Sequence, residues 1–194
     1  MISVFTVPAP SFTKTQIEQI LQSKFNLSGC VKNLYGDRDQ NFLIKTKKLN
    51  YILKVFNVHE KKEIIDSQDI AINYIRNNDS EILVPLTLDQ KRIRQNRKTY
   101  TFKLLKYLEG KFLYEEAMSS HDYTNMGFFM GRLSTALIGF NHKAAYRLFE
   151  WDCRRIDIIK TNLNFIKNQT EKDTILYFLN QYTENVVPFL HKLR

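Results

Sequence analysis

The spacing of apolar positions changes twice along the chain, and each change marks a change of element. Ile17, Ile20, Leu21 and Phe25 recur at helical intervals and predict a short amphipathic helix over Thr13 to Phe25. Thr13 with Gln16, or Thr15 with Glu18, fits a capping box at its start, and Gly29 is expected to end the segment. From Cys30 to Tyr107 the signals are mostly those of strands. Val31 to Leu34 is short and apolar, and a polar turn, Tyr35 to Gln40, follows. Asn41 to Thr46 alternates, with Phe42 and Ile44 on one side, and Lys47 to Asn50 reads as a hairpin turn into a strand over Tyr51 to Phe56. Lys62 to Ile75 returns to helical spacing through Ile64, Ile65, Ile72 and Ile75. Two further strands are expected over Ile82 to Leu88 and Tyr100 to Leu108, separated by a basic turn, Lys91 to Lys98. Three strands, a helix and two strands joined by hairpin-length turns predict an α+β fold, an antiparallel sheet of about five strands with one crossing helix.

Beyond Glu109 the pattern is helical. Met126, Met130, Leu133, Leu137 and Phe140 step by four, three, four and three and predict a buried helix face. Ile156, Ile159, Leu163 and Ile166 form a second stripe; Ile175, Phe178, Leu179, Tyr182, Val186 and Leu190 form a third. Gly110 interrupts the pattern, so the expected lobes are 1–108 and 109–194.

Composition narrows the class. The 194 residues are 43% hydrophobic and 25% charged, ordinary values for a globular chain that argue against wholesale disorder. Lys and Arg number 29 against 20 acidic residues, and the formal charge of +9 points to an anionic partner. Cys30 and Cys153 are far apart in sequence and belong to no Cys-x-x-Cys or Cys/His cluster. That usage argues against a disulfide framework or structural zinc and favours a reducing cytoplasm. Met1 to Phe12 lacks a basic start and is broken by Pro8 and Pro10, unlike a signal peptide, and no apolar run approaches membrane-spanning length.

Four places could carry chemistry. The turn from Tyr35 to Asn41 could aim backbone N–H groups at a phosphate, with Gly36 giving flexibility. Asp37 and Asp39 oppose an anion there, and spacing alone favours an ordinary hairpin turn. Lys54 lies in an apolar strand on the same face as Ile52 and Phe56, so it must reach water or an anion. A phosphate-clamping lysine on the third strand has this placement, as does a lysine on a solvated edge. The following helix offers Glu60, Glu63, Asp66 and Asp69, with Gln68 among them, either as partners for such a lysine or as a solvated face. Leu104 to Gly110 ends a strand at a lobe connection, where backbone groups could pair with adenine. The basic turn holds five cations and no acid, with Tyr100 and Phe102 close behind. Basic residues near aromatics are a nucleic-acid signature, but no recognisable nucleic-acid motif surrounds them, and a solvated hairpin tip is the better reading.

The order of these features is specific. Gly36-Asp37-Arg38-Asp39-Gln40-Asn41-Phe42, then Tyr51-Ile52-Leu53-Lys54-Val55, resembles the amino-terminal lobe of the aminoglycoside phosphotransferase family, in its hydroxylysine-kinase-like branch. Phe102 to Gly110 is similar to that branch's hinge. Met126 to Leu137, followed by Gly139-Phe140-Asn141-His142 and Trp151-Asp152, is similar to its long helical signature. The resemblance implies a protein-kinase-like fold and ATP-dependent phosphorylation of a hydroxyl on a small amino alcohol. By the same resemblance Lys54 binds the nucleotide phosphates, the turn carrying Gly36, Asp39, Gln40 and Asn41 covers them, and the backbone at Leu105 and Tyr107 meets adenine. Gln68 stands where many relatives carry a lysine-pairing Glu. The family's His-Gly-Asp catalytic loop and its later magnesium-binding Asp do not occur in these residues, and no glycine follows Gly139. The expectation is therefore a truncated kinase-like protein, inactive alone, with residual ATP binding and with magnesium belonging only to a full-length relative. A partner-association module built on uncovered helices, capable of self-association, is the alternative. Nucleic-acid binding through residues 91–98 is the third reading.

Overall fold

The computed structural model describes residues 7–115, 117–147, 149, 152 and 154–192; Trp151 and Cys153 fall outside the described residues. The chain divides into two compact units, Met1–Tyr146 and Arg147–Arg194. In the first, helix α1 (Lys14–Phe25) precedes strands β1 (Cys30–Leu34), β2 (Gln40–Lys45) and β3 (Asn50–Val55). Helix α2 (Lys62–Asn78), the long hairpin β4 (Thr87–Gln95) and β5 (Lys98–Lys106), and helix α3 (Ser120–Ala136) follow. The five strands form one antiparallel sheet in the order β1-β2-β3-β5-β4. The α+β expectation holds.

Helix α1 starts as its sequence dictates. Thr13 accepts from the Gln16 N–H, and the Gln16 side chain reaches back to the Thr13 N–H. It ends at Asn26, which takes the left-handed conformation (φ 50°), and not at Gly29. Ile17, Ile20 and Leu21 are buried against one face of the sheet with Phe12, Val31, Phe42, Ile44, Leu53, Val55, Ile93, Phe102 and Leu104. Strand alternation supplies this face: Phe42, Leu53 and Leu104 stand in register across β2, β3 and β5.

Two strand expectations need correction. Residues 82–86 are not strand; β4 begins at Thr87. Pro85 cannot donate to a ladder, and Asp79 holds the preceding segment in a turn by accepting from the Glu81 and Ile82 N–H groups, through its side chain and its carbonyl respectively. The stretch 91–98 is not a turn either. It is strand except for Asn96 and Arg97, whose φ values of 49° and 62° close a tight hairpin. Ile93 is buried in the core between Arg92 and Arg94, an alternation hidden by the density of charge. The cations decorate β4, an edge strand, where charge discourages pairing with another chain.

Helix α3 meets α2 only at its C-terminal end. Ala136, Leu133 and Leu137 pack with Ile75, Ile82 and Val84. Asn78 donates to the Ala136 carbonyl, Tyr74 donates to the Ile138 carbonyl, and the Tyr74 and Phe140 rings meet edge to face at 5.4 Å. The rest of the expected buried stripe is exposed: Met126 is 42% and Met130 52% accessible. In the second unit, helices α4 (Asp157–Asn162) and α5 (Gln169–Asn185) form, and Leu179 is buried while Phe178 and Phe189 are exposed.

Candidate functional site

The face of the sheet turned away from α1 carries a polar row. Register sets Asn41 of β2 beside Lys54 of β3, Lys54 beside Lys103 of β5, and Lys103 beside Gln90 of β4. Directly paired residues project to the same side, so two lysines share this face. Both flank the buried Phe56 ring, with Lys54 Nζ 4.9 Å and Lys103 Nζ 5.6 Å from its centroid. Helix α2 crosses the Lys103 end of the row.

The lysine that meets the crossing helix is Lys103, which the sequence reading missed. Its ammonium lies 3.1 and 3.0 Å from the two Asp69 carboxylate oxygens and donates to the Ile65 carbonyl at 3.1 Å. It is only 2% exposed, and its three N–H groups are matched by three acceptors. A buried ammonium without such partners would cost several kcal/mol. Asp69 also accepts from the Thr87 hydroxyl at 2.6 Å. Neighbouring Asp66 pairs with Lys62 and accepts from Gln90 at 3.4 Å; the Lys62 hydrogen bond, more than any other contact, holds its carboxyl below the usual range.

Lys54 instead meets the turn. Its Nζ lies 3.0 Å from Asp39 Oδ2, and the other Asp39 oxygen accepts from the Asn57 N–H at 2.9 Å. Arg38 pairs with Glu60 at 3.1 Å, and buried Asn57 donates to the carbonyls of Pro8 and Arg38. The turn is thus tied at three points to β3 and the segment after it. Asn41 closes it from within by donating to the Tyr35 carbonyl. Gly36 is required there: a Cβ would stand 2.2 Å from the Asp39 carbonyl oxygen.

The sequence-chosen residues therefore separate. Gly36, Asp39, Asn41 and Lys54 come together at one end of the sheet. Gln40 stands in register with Val55 on the opposite face, and both ends of its amide are spent on the Phe12 backbone at 2.8 and 2.9 Å. Gln68 is half-buried on α2, where Asp69 makes the lysine contact. Leu105 lies within β5, in register with Ile52 and Thr87, and Tyr107 follows the end of that strand. Among the described residues no three His, Cys, Asp or Glu side chains gather to hold a metal ion. A hollow of about 540 Å³ at the α2–α3 joint, lined by Asp79, Phe128 and Arg132 among others, shares no residue with this row.

No family model matches the chain. It is 21% identical to hydroxylysine kinase of Mus musculus over 95% of its own length, and spans about half (55%) of that kinase. Its fold matches a structure described as the microcompartment-associated aminopropanol kinase with a TM-score of 0.53 and 17% identity, over 71% of this chain and 45% of that one. These likenesses support a partial, kinase-like relative of the aminoglycoside phosphotransferase type. The five-stranded sheet with its crossing helix is accordingly a kinase-like amino-terminal lobe. Among the described residues no helix is long and apolar enough to cross a membrane.

Proposed function

We propose that residues 1–108 form the nucleotide-binding lobe of a small-molecule kinase, and that 109–194 contribute the hinge and part of the helical lobe. The reading rests on one observation: Lys54 projects from the third strand beside the Gly36 turn, on the sheet face crossed by α2. There a phosphate would meet an ammonium, and the strand end at Leu105 and Tyr107 would offer backbone to adenine. ATP is the nucleotide that the kinase relatives imply. By the names of those relatives, the acceptor is the hydroxyl of a small amino alcohol such as hydroxylysine, and the cysteine usage of the sequence favours a reducing cytoplasm as the setting.

These 194 residues contain no His-Gly-Asp, hence no acceptor base of the family type. Without that base, and without the family's later magnesium-binding Asp in these residues, the lobe positions phosphate but lacks the charge stabilisation of transfer. The 194-residue chain incubated with ATP, magnesium and hydroxylysine or aminopropanol should give no phosphorylated product above the uncatalysed background. Turnover in that assay would refute the reading.

The exposure of Phe128 at 70%, Phe178 at 64% and Phe189 at 52% supports a second reading, association through uncovered helices. Gel filtration separates the two, because a clean monomer over a wide concentration range removes the association model.

A further inference from the structure

The cations around the turn are paired internally. Arg38 faces Glu60, Lys54 faces Asp39, and Lys103 faces Asp69. The molecule's surplus of positive charge is thus not concentrated where a phosphate would bind. The three pairs differ in how readily they can open. Lys103 is 2% exposed and held by three acceptors, two of them on Asp69, so its pair fixes α2 to the sheet. Lys54 and Asp39 have side chains 29% and 17% exposed, and Asp39 belongs to a short turn, not to a packed helix. One carboxylate oxygen is anchored on the Asn57 N–H, and the other is the one on Lys54. Asp39 therefore holds the position beside the Lys54 ammonium that an incoming phosphate oxygen needs, and it presents a like charge to that phosphate.

We propose that Asp39 is an exchangeable internal counter-ion of Lys54, a carboxylate plug that a nucleotide phosphate must displace. The proposal rests on the reading of Lys54 as the phosphate-binding lysine, and it adds what gates that site. Pairing of the helix carboxylate with Lys103 is what leaves Lys54 to the turn. The site is closed at rest without any covering lobe, and it opens by a side-chain movement of Asp39.

The test compares the full 194-residue chain with Asp39→Asn, which keeps an acceptor for the Asn57 N–H but removes the charge, and with Asp39→Ser as a second uncharged acceptor. Lys54→Met and the Asp39→Asn/Lys54→Met pair complete the set. Tripolyphosphate and ATP, both free of divalent cation, are the probes in calorimetric titration. The uncharged Asp39 variants should bind both probes about tenfold more tightly, from loss of one repelling charge and one competing ion pair, and the gain should vanish in the double variant. Equal or weaker binding by the uncharged variants, while Lys54→Met still abolishes binding, would overturn the plug and make Asp39 an orienting partner of Lys54. A second readout needs no ligand: labelling of Lys54 by an amine-reactive reagent, followed by peptide mass spectrometry, should be several-fold faster in Asp39→Asn. An unchanged labelling rate overturns the plug. Faster labelling with no probe binding by any variant would remove the nucleotide reading, and the proposal with it.

Discussion

Lys103 and Asp69 illustrate how unequal the two halves of an ion pair can be. Lys103 is 2% exposed, whereas Asp69 is 34% exposed and can be rehydrated. Removing the carboxylate strands a buried ammonium; removing the ammonium leaves a carboxylate at the surface. Asp69→Ala should therefore destabilise the chain by about 3 kcal/mol and Lys103→Met by about 1 kcal/mol, read from urea unfolding midpoints. Equal costs would contradict the assigned burial. Gly36→Ala should cost about 1–3 kcal/mol in the same assay, since the closest atom to its Cβ would be the Asp39 carbonyl oxygen, which cannot swing aside as a side chain can. At this scale the sequence was half legible. The placement of Lys54 follows from alternation in an apolar strand, and Gly36 from its turn. Lys103 carried the same signal, a lysine in mid-strand between Phe102 and Leu104, yet only the register that sets it under α2 distinguishes it from a solvated one. The Gln40 clamp on Phe12 depends on a contact 28 residues away in sequence, which no local pattern reveals.

Among the elements, helix α1 and the β4–β5 hairpin make opposite points. The α1 cap was readable because its donors and acceptors lie within three residues, and Thr13→Ala should lower stability by about 1 kcal/mol. The hairpin was misread because its charge resembled a loop. Its register is set by Ile93 and by the two left-handed residues at the tip. Arg97 pays a steric cost for φ 62° that glycine would not. Arg97→Gly should raise the thermal midpoint, by an amount equivalent to about 0.5–1 kcal/mol, without altering nucleotide binding. A fall in midpoint would show that the Arg97 side chain contributes contacts outweighing its backbone strain. Helix α3 was placed correctly but its burial was not, because helical periodicity reports which face is apolar and says nothing of what covers it.

For the molecule as a whole, α2 and α3 are joined through Arg132, which grips Asp79 with 2.6–2.9 Å hydrogen bonds and reaches Glu81 at 3.0 Å. Those hydrogen bonds from Arg132 hold the Asp79 carboxyl below its ordinary value of 3.8. A carboxyl depressed in the folded chain binds fewer protons there than when unfolded. Its contribution is complete above the ordinary carboxylate range and is lost as pH falls through 3.8 and below. Thermal midpoints should therefore decline more steeply with acid in the parent chain than in Asp79→Asn, the two curves converging below that range. Parallel curves from pH 6 to 3 would show that the joint does not depend on the ionised pair.

The central claim is that a nucleotide's phosphates meet this chain at Lys54 and not at its densest cluster of positive charge. Equilibrium dialysis with labelled ATP decides it, using the parent chain, Lys54→Met, and the triple change of Arg92, Arg94 and Arg97 to Gln. The account predicts that Lys54→Met weakens ATP binding about tenfold or more while the triple variant binds like the parent. Undiminished binding by Lys54→Met, or its loss in the triple variant alone, would contradict it.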